Sequence, residues 1–219
     1  MREPNDAAPK ARPGYFITLE GGDGTGKSTQ AELLAQWVTE RYGGEVVRTF
    51  EPGDTKLGRQ LRQLIQHGDH MADRTEALLF AADRAQHVAE VVRPALARGA
   101  VVVCDRYLDS SVAYQGAGRA LPAGEIYAIS RWAAADLQPN ATVLLDLPAE
   151  QALARLSDRP ADRLESAGVE FQQKVRAGYR KLADQDPERW IVVPADGSIS
   201  HIANQIRAAL EPRLAVSLQ

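Results

Sequence analysis

Apolar residues recur in two rhythms along this chain, and the alternation of those rhythms predicts an α/β fold. Short apolar-rich runs read as strands at Tyr15 to Glu20, Glu45 to Thr49, Ala100 to Cys104, Ala141 to Leu147 and Trp190 to Pro194. The three consecutive valines of the third run mark a strand buried on both faces, as a parallel sheet requires. Between the runs lie longer stretches with apolar residues at helical spacing. The first covers Lys27 to Tyr42, with Leu33, Leu34, Trp37 and Val38 on its apolar positions and Gly43–Gly44 ending it. Others span Thr55 to Gln66, Asp73 to Arg98 with Pro94 placed to kink it, Val169 to Asp184, and Ser198 to Leu214. Helical signal also fills Tyr107 to Pro139, interrupted at Gly116, Gly118 and Pro122. Strands alternating with helices predict a doubly wound five-stranded parallel sheet, flanked by helices on both faces and joined by right-handed crossovers.

The pattern shows no internal repeat and no domain boundary. Residues 1–13 carry Pro4, Pro9 and Pro13 among charged and small residues and read as a disordered leader, which leaves 14–219 as one domain. Charge changes the picture little: a formal net charge of −3 gives no global reason to expect a nucleic-acid partner. No apolar run approaches the roughly 18–20 residues of a membrane helix, and the N-terminus lacks the apolar core of a signal peptide. The single cysteine, Cys104, cannot form an internal disulfide, which suits a reducing cytoplasm. His67, His70, His87 and His201 show no metal-ligand spacing, so zinc is not expected and these residues read as structural. Trp132 and Trp190 read as core residues.

Chemistry enters at Gly21 to Ser28. Gly21, Gly22, Asp23, Gly24, Thr25, Gly26, Lys27 and Ser28 fit the phosphate-loop pattern G-x-x-x-x-G-K-[ST], with a strand signal before and a helix signal after. Backbone N–H groups can wrap phosphate oxygens only where side chains do not intrude, and the following helix turns its positive end toward the same anion. Lys27 then reaches the β- and γ-phosphates, Ser28 ligates Mg²⁺, and Thr29 continues the nucleotide cradle. The expected fold is thus of the P-loop NTPase type. Asp105, ending the valine run, occupies the place where such enzymes keep a second acid near Mg²⁺; a strand-terminal Asp can also cap a turn. Arg155, Arg159 and Arg163 recur every four residues and would line one stripe of a helix, either as a solvated face or as a source of charge for phosphoryl transfer.

The segment Asp105-Arg106-Tyr107-Leu108-Asp109-Ser110-Ser111-Val112-Ala113-Tyr114-Gln115 resembles the D-R-Y-x-x-S-x-x-A-Y-Q segment of bacterial thymidylate kinases. The phosphate loop, Glu51-Pro52-Gly53, Thr75-Glu76 leading to Phe80 and Arg84, and Asp162-Arg163-Leu164-Glu165 match that family in order and approximate spacing. The resemblance implies transfer of the γ-phosphoryl group of ATP to dTMP, with Mg²⁺, in a cytoplasmic homodimer. It implies that Phe80 stacks on the thymine ring and Arg84 donates to a base carbonyl, both from one helix face. It places Arg106 on the acceptor 5′-phosphate, a task suited to a planar, permanently charged guanidinium. It also places Asp23 near the sugar 3′-hydroxyl, Tyr114 against the sugar, Gln115 near the base, and Ser110, Glu51 and Pro52 at the substrate.

The family has two styles, one with its catalytic arginine in the phosphate loop and one with it in the lid. This loop holds no arginine, so the resemblance implies a lid, about residues 155–168, in which Arg155, Arg159 and Arg163 share the catalytic role with Lys27 and Arg106; the sequence does not rank the three. Pro194-Ala195-Asp196-Gly197 matches the loop that receives adenine. Relatives commonly read R-E-P-G-G-T where this chain has Phe50-Glu51-Pro52-Gly53-Asp54-Thr55. The arginine missing at Phe50 leaves Arg48, Arg62 or the packing surface of Phe50 itself to fill its place. Kinases of other nucleoside monophosphates or deoxynucleosides on the same fold remain the nearest alternative. A GTP switch is disfavoured, since no Asn-Lys-x-Asp segment is present.

Overall fold

The structure, a computed structural model, describes residues 14–156 and 163–218, and the backbone alone of Glu165. The expected leader at 1–13 and, within the expected lid, Arg159 and Asp162 lie outside the described residues. In chain order the elements are β1 (Tyr15–Glu20), α1 (Lys27–Tyr42), β2 (Val46–Phe50), α2 (Lys56–His67), α3 (Asp73–His87), α4 (Arg93–Ala97), β3 (Val101–Asp105), α5 (Leu108–Ser111), α6 (Ala123–Ala133), β4 (Ala141–Asp146), α7 (Ala149–Ala154), α8 (Gly168–Gln185), β5 (Trp190–Pro194) and α9 (Ile199–Leu218).

All strand pairs are parallel, in the order β2-β3-β1-β4-β5. The chain enters at the middle of the sheet and later strands add on both sides of β1, so the strand order reverses there. Such a switch point opens a crevice beyond the carboxyl ends of the strands. Register brings those ends together: Leu19 of β1 stands opposite Asp105 of β3, and Phe50 of β2 stands on the other side of Asp105. The phosphate loop, the 51–55 turn and the Asp105-Arg106 segment therefore leave the sheet side by side.

Alternating side chains split the core between two faces. Ile17, Leu19, Val103 and Leu145 meet Leu34 and Val38 of α1 and Ile206 and Leu210 of α9. On the opposite face Phe16, Val102 and Cys104 pack against Val88, Val92 and Ala95, and Leu144 and Trp190 against Phe171, Val175 and Tyr179 of α8.

The structure revises several sequence expectations. The single helix expected over Asp73 to Arg98 is α3 and α4 joined by a π turn at Val88–Val92. Pro94 has no N–H to donate and its ring crowds the preceding turn, so the helix widens just upstream. A second π turn, Val112–Gly118, carries the chain past Gly116 and Gly118. Trp132 is not a core residue: it is 81% exposed, whereas Trp190 is 4% exposed. Its neighbours on α6 explain this, because Ile126, Ser130 and Ala133 take the buried face and Trp132 falls on the other. Helix α7 stops at Ala154, so Arg155 and Arg163 do not share a helical stripe; Arg155 follows the last turn, and Arg163 lies in a turn.

Helix α9 illustrates the energetics. Leu210→Ala, at a site with 0% exposure, is expected to cost about 2–5 kcal/mol in urea unfolding, and Val216→Ala, at 86% exposure, to stay within about 0.5 kcal/mol. Equal losses would contradict the assignment of the buried face.

Candidate active site

The segments that leave β1, β2 and β3 each contribute one part of a single cleft. After β1 the chain turns through Gly21, Gly24 and Gly26, at φ of 142°, 80° and 91°. Gly24 is obligatory on two grounds: its left-handed backbone, and the carbonyl of Ala152, which would lie 2.1 Å from any Cβ added there. The end of α7 thus rests on the phosphate loop. Gly22 accepts from both Thr25 Oγ1 at 2.9 Å and Lys27 Nζ at 2.7 Å, so the lysine lies folded along the loop. Burial, and then the neighbouring Arg106 charge, push the Lys27 ammonium down to about 8, an environment that favours an arriving anion. Ser28 and Thr29 open α1, both exposed.

Ser28 Oγ donates to Asp105 Oδ2 at 2.6 Å, while Asp105 Oδ1 is buried with no hydrogen-bond partner. A hydroxyl and a half-satisfied carboxylate facing a phosphate loop fit a small hard cation whose other ligands are phosphate oxygens and water. Among the described residues no group of three or more His, Cys, Asp or Glu could hold a metal alone, in keeping with a cation brought by a nucleotide.

Beside this pair, Arg106 crosses to the phosphate loop. Its Nη2 lies 2.5 Å from Asp23 Oδ1 and 3.0 Å from Tyr114 Oη, and its guanidinium stacks 4.9 Å above the Tyr114 ring. Tyr114 Oη in turn donates to Asp23 Oδ2 at 2.8 Å. Burial works to raise the Asp23 carboxyl, but the Arg106 and Lys27 charges and the Tyr114 hydroxyl outweigh it and hold it below the usual carboxylate range. Arg106 has φ of 70°, a left-handed backbone that costs a non-glycine residue of order 1–3 kcal/mol and clusters at functional sites. Lys27, Ser28, Asp105, Arg106, Asp23 and Tyr114 all line one cleft of about 1230 Å³, which also reaches Arg48, Phe50, Arg62, Phe80, Ser110 and Gln115.

A family model described as thymidylate kinase matches residues 19–206. The chain belongs to the thymidylate kinase family. It is 56% identical over 212 residues to the thymidylate kinase of Leifsonia xyli subsp. xyli, covering 95% of this chain and 100% of that one. To the thymidylate kinase of Clavibacter sepedonicus it is 56% identical over 200 residues, with 89% and 93% of the two chains covered. The crystal structure of thymidylate kinase from Ehrlichia chaffeensis aligns with a TM-score of 0.77 at 31% identity, covering 90% of this chain and 99% of that one.

Set beside the positions that thymidylate kinases imply, the structure brings most of the expected residues to the cleft and turns others away. Phe80 is half-buried on the cleft wall. Arg84, expected to share its pocket, faces inward instead. It is 1% exposed, pairs with Glu51 Oε2 at 2.9 Å and donates to the Tyr107 carbonyl at 3.0 Å and to Ser111 and Ser130. A buried carboxylate offers that guanidinium more than an open pocket does. Glu51 lines the cleft with Pro52, but it is only 4% exposed and also pairs with His87 Nδ1 at 2.8 Å, so its carboxylate is engaged by Arg84 and His87. Pro52 contributes its carbonyl, which accepts from Arg62 at 2.7 Å. Gln115 donates to Glu76 Oε1 at 2.9 Å, and Ser110 Oγ donates to Glu20 Oε2 at 2.6 Å.

The described lid arginines do not meet the phosphate loop in this conformation. Arg155 donates to the carbonyl of Ala195, in the loop expected to receive adenine, at 2.9 Å. Arg163 reaches the Ile65 carbonyl at 2.9 Å and pairs with Glu76 at 2.6 Å. In the sequence Glu76 figures only in a matched segment, His87 only as a structural residue and Asp83 not at all, yet their spacing of seven and four residues puts them on one buried stripe of α3. That polar stripe on an amphipathic helix was the available signal. Glu20, closing the apolar run of β1, and Tyr179 on α8 offered none.

Asp83 is the member whose protonation reports on this layer. Its Oδ1 accepts from the Gly53 N–H at 3.0 Å, and burial, then the Glu51 charge, push its carboxyl up to about 7. Between pH about 4 and about 7 the folded chain holds a proton that the unfolded chain has released, so Asp83 makes stability fall as pH rises across that window and level off above it. Asp83→Asn keeps an acceptor for Gly53 and removes that dependence. Urea midpoints from pH 4.5 to 8 should show the variant gaining on the wild type by more than about 1 kcal/mol as pH rises; parallel curves would refute the assignment.

Proposed function

We propose that this cleft transfers the γ-phosphoryl group of ATP directly to the 5′-phosphate of dTMP, giving ADP and dTDP, as a step toward dTTP. The observation that carries this reading is the Asp23–Arg106 pair. Through it the phosphate loop that would cradle the donor joins the Arg106 and Tyr114 wall of the same cleft, where the acceptor would lie. Arg106 gives up part of its contact with Asp23 to a bidentate phosphate, freeing the Asp23 carboxylate for the sugar 3′-hydroxyl. Tyr114 packs against the sugar, Phe80 stacks on the base, and Gln115 lies at the base edge. Arg84 braces the Glu51–Pro52 turn beneath the acceptor, its guanidinium being spent on Glu51.

Lys27 leaves Gly22 for the β- and γ-phosphates and, with the N–H groups of residues 21–29, stabilises charge on the moving phosphoryl group. Magnesium held at Ser28 and Asp105 would supply further charge neutralisation between those phosphates. The acceptor oxygen is already anionic, so positioning and charge suffice without a strong general base. Arg155, Arg159 and Arg163 complete the charge when the lid closes, a motion that must exchange the Ala195 and Glu76 contacts of Arg155 and Arg163 for phosphate.

The same reading makes the chain a cytoplasmic homodimer. Buried, unpaired Cys104 suits a reducing compartment, and no helix among the described residues is long and apolar enough to cross a membrane. Helices α2, α3 and α6 pack side by side, and each exposes a large apolar side chain, Leu64, Leu78 and Trp132 at 53%, 55% and 81%, that a second copy would cover. Sedimentation at micromolar concentration should give twice the chain mass, and Trp132→Asp should shift the species toward monomer.

ADP release measured with dTMP, dUMP, dCMP, dGMP and thymidine tests the reaction; preference for an acceptor other than dTMP would overturn it. Lys27→Ala should lower kcat by at least about 100-fold while changing dTMP affinity little, because its charge acts on the transferring group. A loss confined to KM would show that Lys27 acts in binding alone.

A further inference from the structure

Arg106 is the most elaborately held residue of the cleft, and its holding converges on one carboxylate that lines neither substrate space. Glu20, the last residue of β1, has 0% exposure. Its Oε1 accepts the Tyr107 N–H at 2.8 Å, and its Oε2 accepts Ser110 Oγ at 2.6 Å and Tyr179 Oη at 2.9 Å. The first bond fixes the peptide that follows Arg106, while the Arg106 N–H donates to the Leu19 carbonyl at 2.9 Å, so the left-handed residue is clamped on both sides. The other two bonds hold hydroxyls on which the guanidinium leans: Arg106 Nη1 lies 3.4 Å from Ser110 Oγ and 3.5 Å from Tyr179 Oη.

Proton direction gives the arrangement its meaning. Glu20 Oε2, Ser110 Oγ and Tyr179 Oη form one closed triangle, the two hydroxyls themselves lying 2.8 Å apart, and the two hydroxyl hydrogens are shared within it, which leaves hydroxyl lone pairs to face the Arg106 N–H groups. We infer that Glu20 is a positioning residue for the reaction: with Tyr179 and Ser110 it fixes the backbone and orients the hydroxyls that aim Arg106 at the acceptor phosphate. A glutamine amide at position 20 would donate toward the hydroxyls and turn their hydrogens to the guanidinium. The strained backbone would survive, but the aim of Arg106 would not.

The inference rests on Arg106 being the acceptor-phosphate residue, and the experiment separates the two. Steady-state KM for dTMP and for ATP, kcat and melting temperature are measured for wild type, Glu20→Gln, Tyr179→Phe, Arg106→Lys and the two double variants with Arg106→Lys. Tyr179→Phe removes one hydroxyl and keeps the ring, which covers the case of a poorly folding Glu20→Gln. Each single change at 20 or 179 should raise KM for dTMP roughly 10-fold and KM for ATP by less than about twofold, the scale of one hydrogen bond to a charged group. On the Arg106→Lys background the same changes should add less than about twofold, since a residue acting through Arg106 is coupled to it. Unchanged KM for dTMP in both single variants, equal rises for both substrates, or full additivity with Arg106→Lys would overturn the inference. If Arg106→Lys alone leaves KM for dTMP unchanged, the acceptor assignment of Arg106 itself fails.

Discussion

A guanidinium taken out of water must be surrounded by acceptors, and the cleft of this chain is built around satisfying one. Arg106 ends the central pair of strands and reaches the phosphate loop, so its partners have to come from elements distant in sequence: Asp23 and the Gly21 carbonyl from the loop, Tyr114 from the π turn, Tyr179 from α8. Breaking a pair of this kind by removing one partner costs about 3–5 kcal/mol, because the survivor is left charged and buried. The folded chain therefore ties the phosphate loop to the Arg106 segment as one preformed wall of the cleft. Preorganised charge of this kind acts on a transition state without a reorganisation cost at the moment of reaction.

Beneath that layer lies a second one with the same logic. Glu51 joins Arg84 and His87, Thr49 bonds both His87 and Asp54, and Asp83 holds the Gly53 N–H. Further along α3, Glu76 collects Gln115, Arg119 and Arg163. Helix α3 thus ties the 51–55 turn, the π turn and the latter part of the lid segment together. Partly buried polar networks specify geometry because half-satisfied arrangements are costly. The Arg119 and Arg163 contacts to Glu76 are partly exposed members of this layer, and the second of them belongs to the lid segment.

What the sequence made legible follows from what is local. Strand runs, the phosphate loop and the helix after it depend on spacing within a few residues, and they stand where the pattern put them, to within a residue or two. Arg84 was read as a pocket residue because its spacing from Phe80 is visible, whereas its partner Glu51 lies on another strand end and is not. Trp132 reads as core in the sequence, although its position on α6 sets it opposite the buried Ile126, Ser130 and Ala133. Arg163 was read as facing phosphate because a charge run carries no sign of a buried acid, Glu76, waiting across the fold. In each case an interaction between distant segments decided the side chain, and a single sequence carries no direct trace of it.

Phe50 shows how local change and distant geometry combine. Where the family commonly places an arginine this chain has an aromatic ring, 39% exposed, with the Arg62 guanidinium 5.7 Å above it. Arg62 comes from α2, one helix away, and is fixed at its other side by the Pro52 carbonyl. Its stem passes so close to Gly53 that an added Cβ there would stand 2.8 Å from Cδ, and Gly53 has φ of 117° besides. A side chain at position 53 would push Arg62 off the ring and out of the cleft it lines. The glycine, the aromatic ring and the arginine therefore form one unit, in which a cation–π contact of about 0.5–1 kcal/mol holds a positive charge in the cleft where residue 50 itself supplies none.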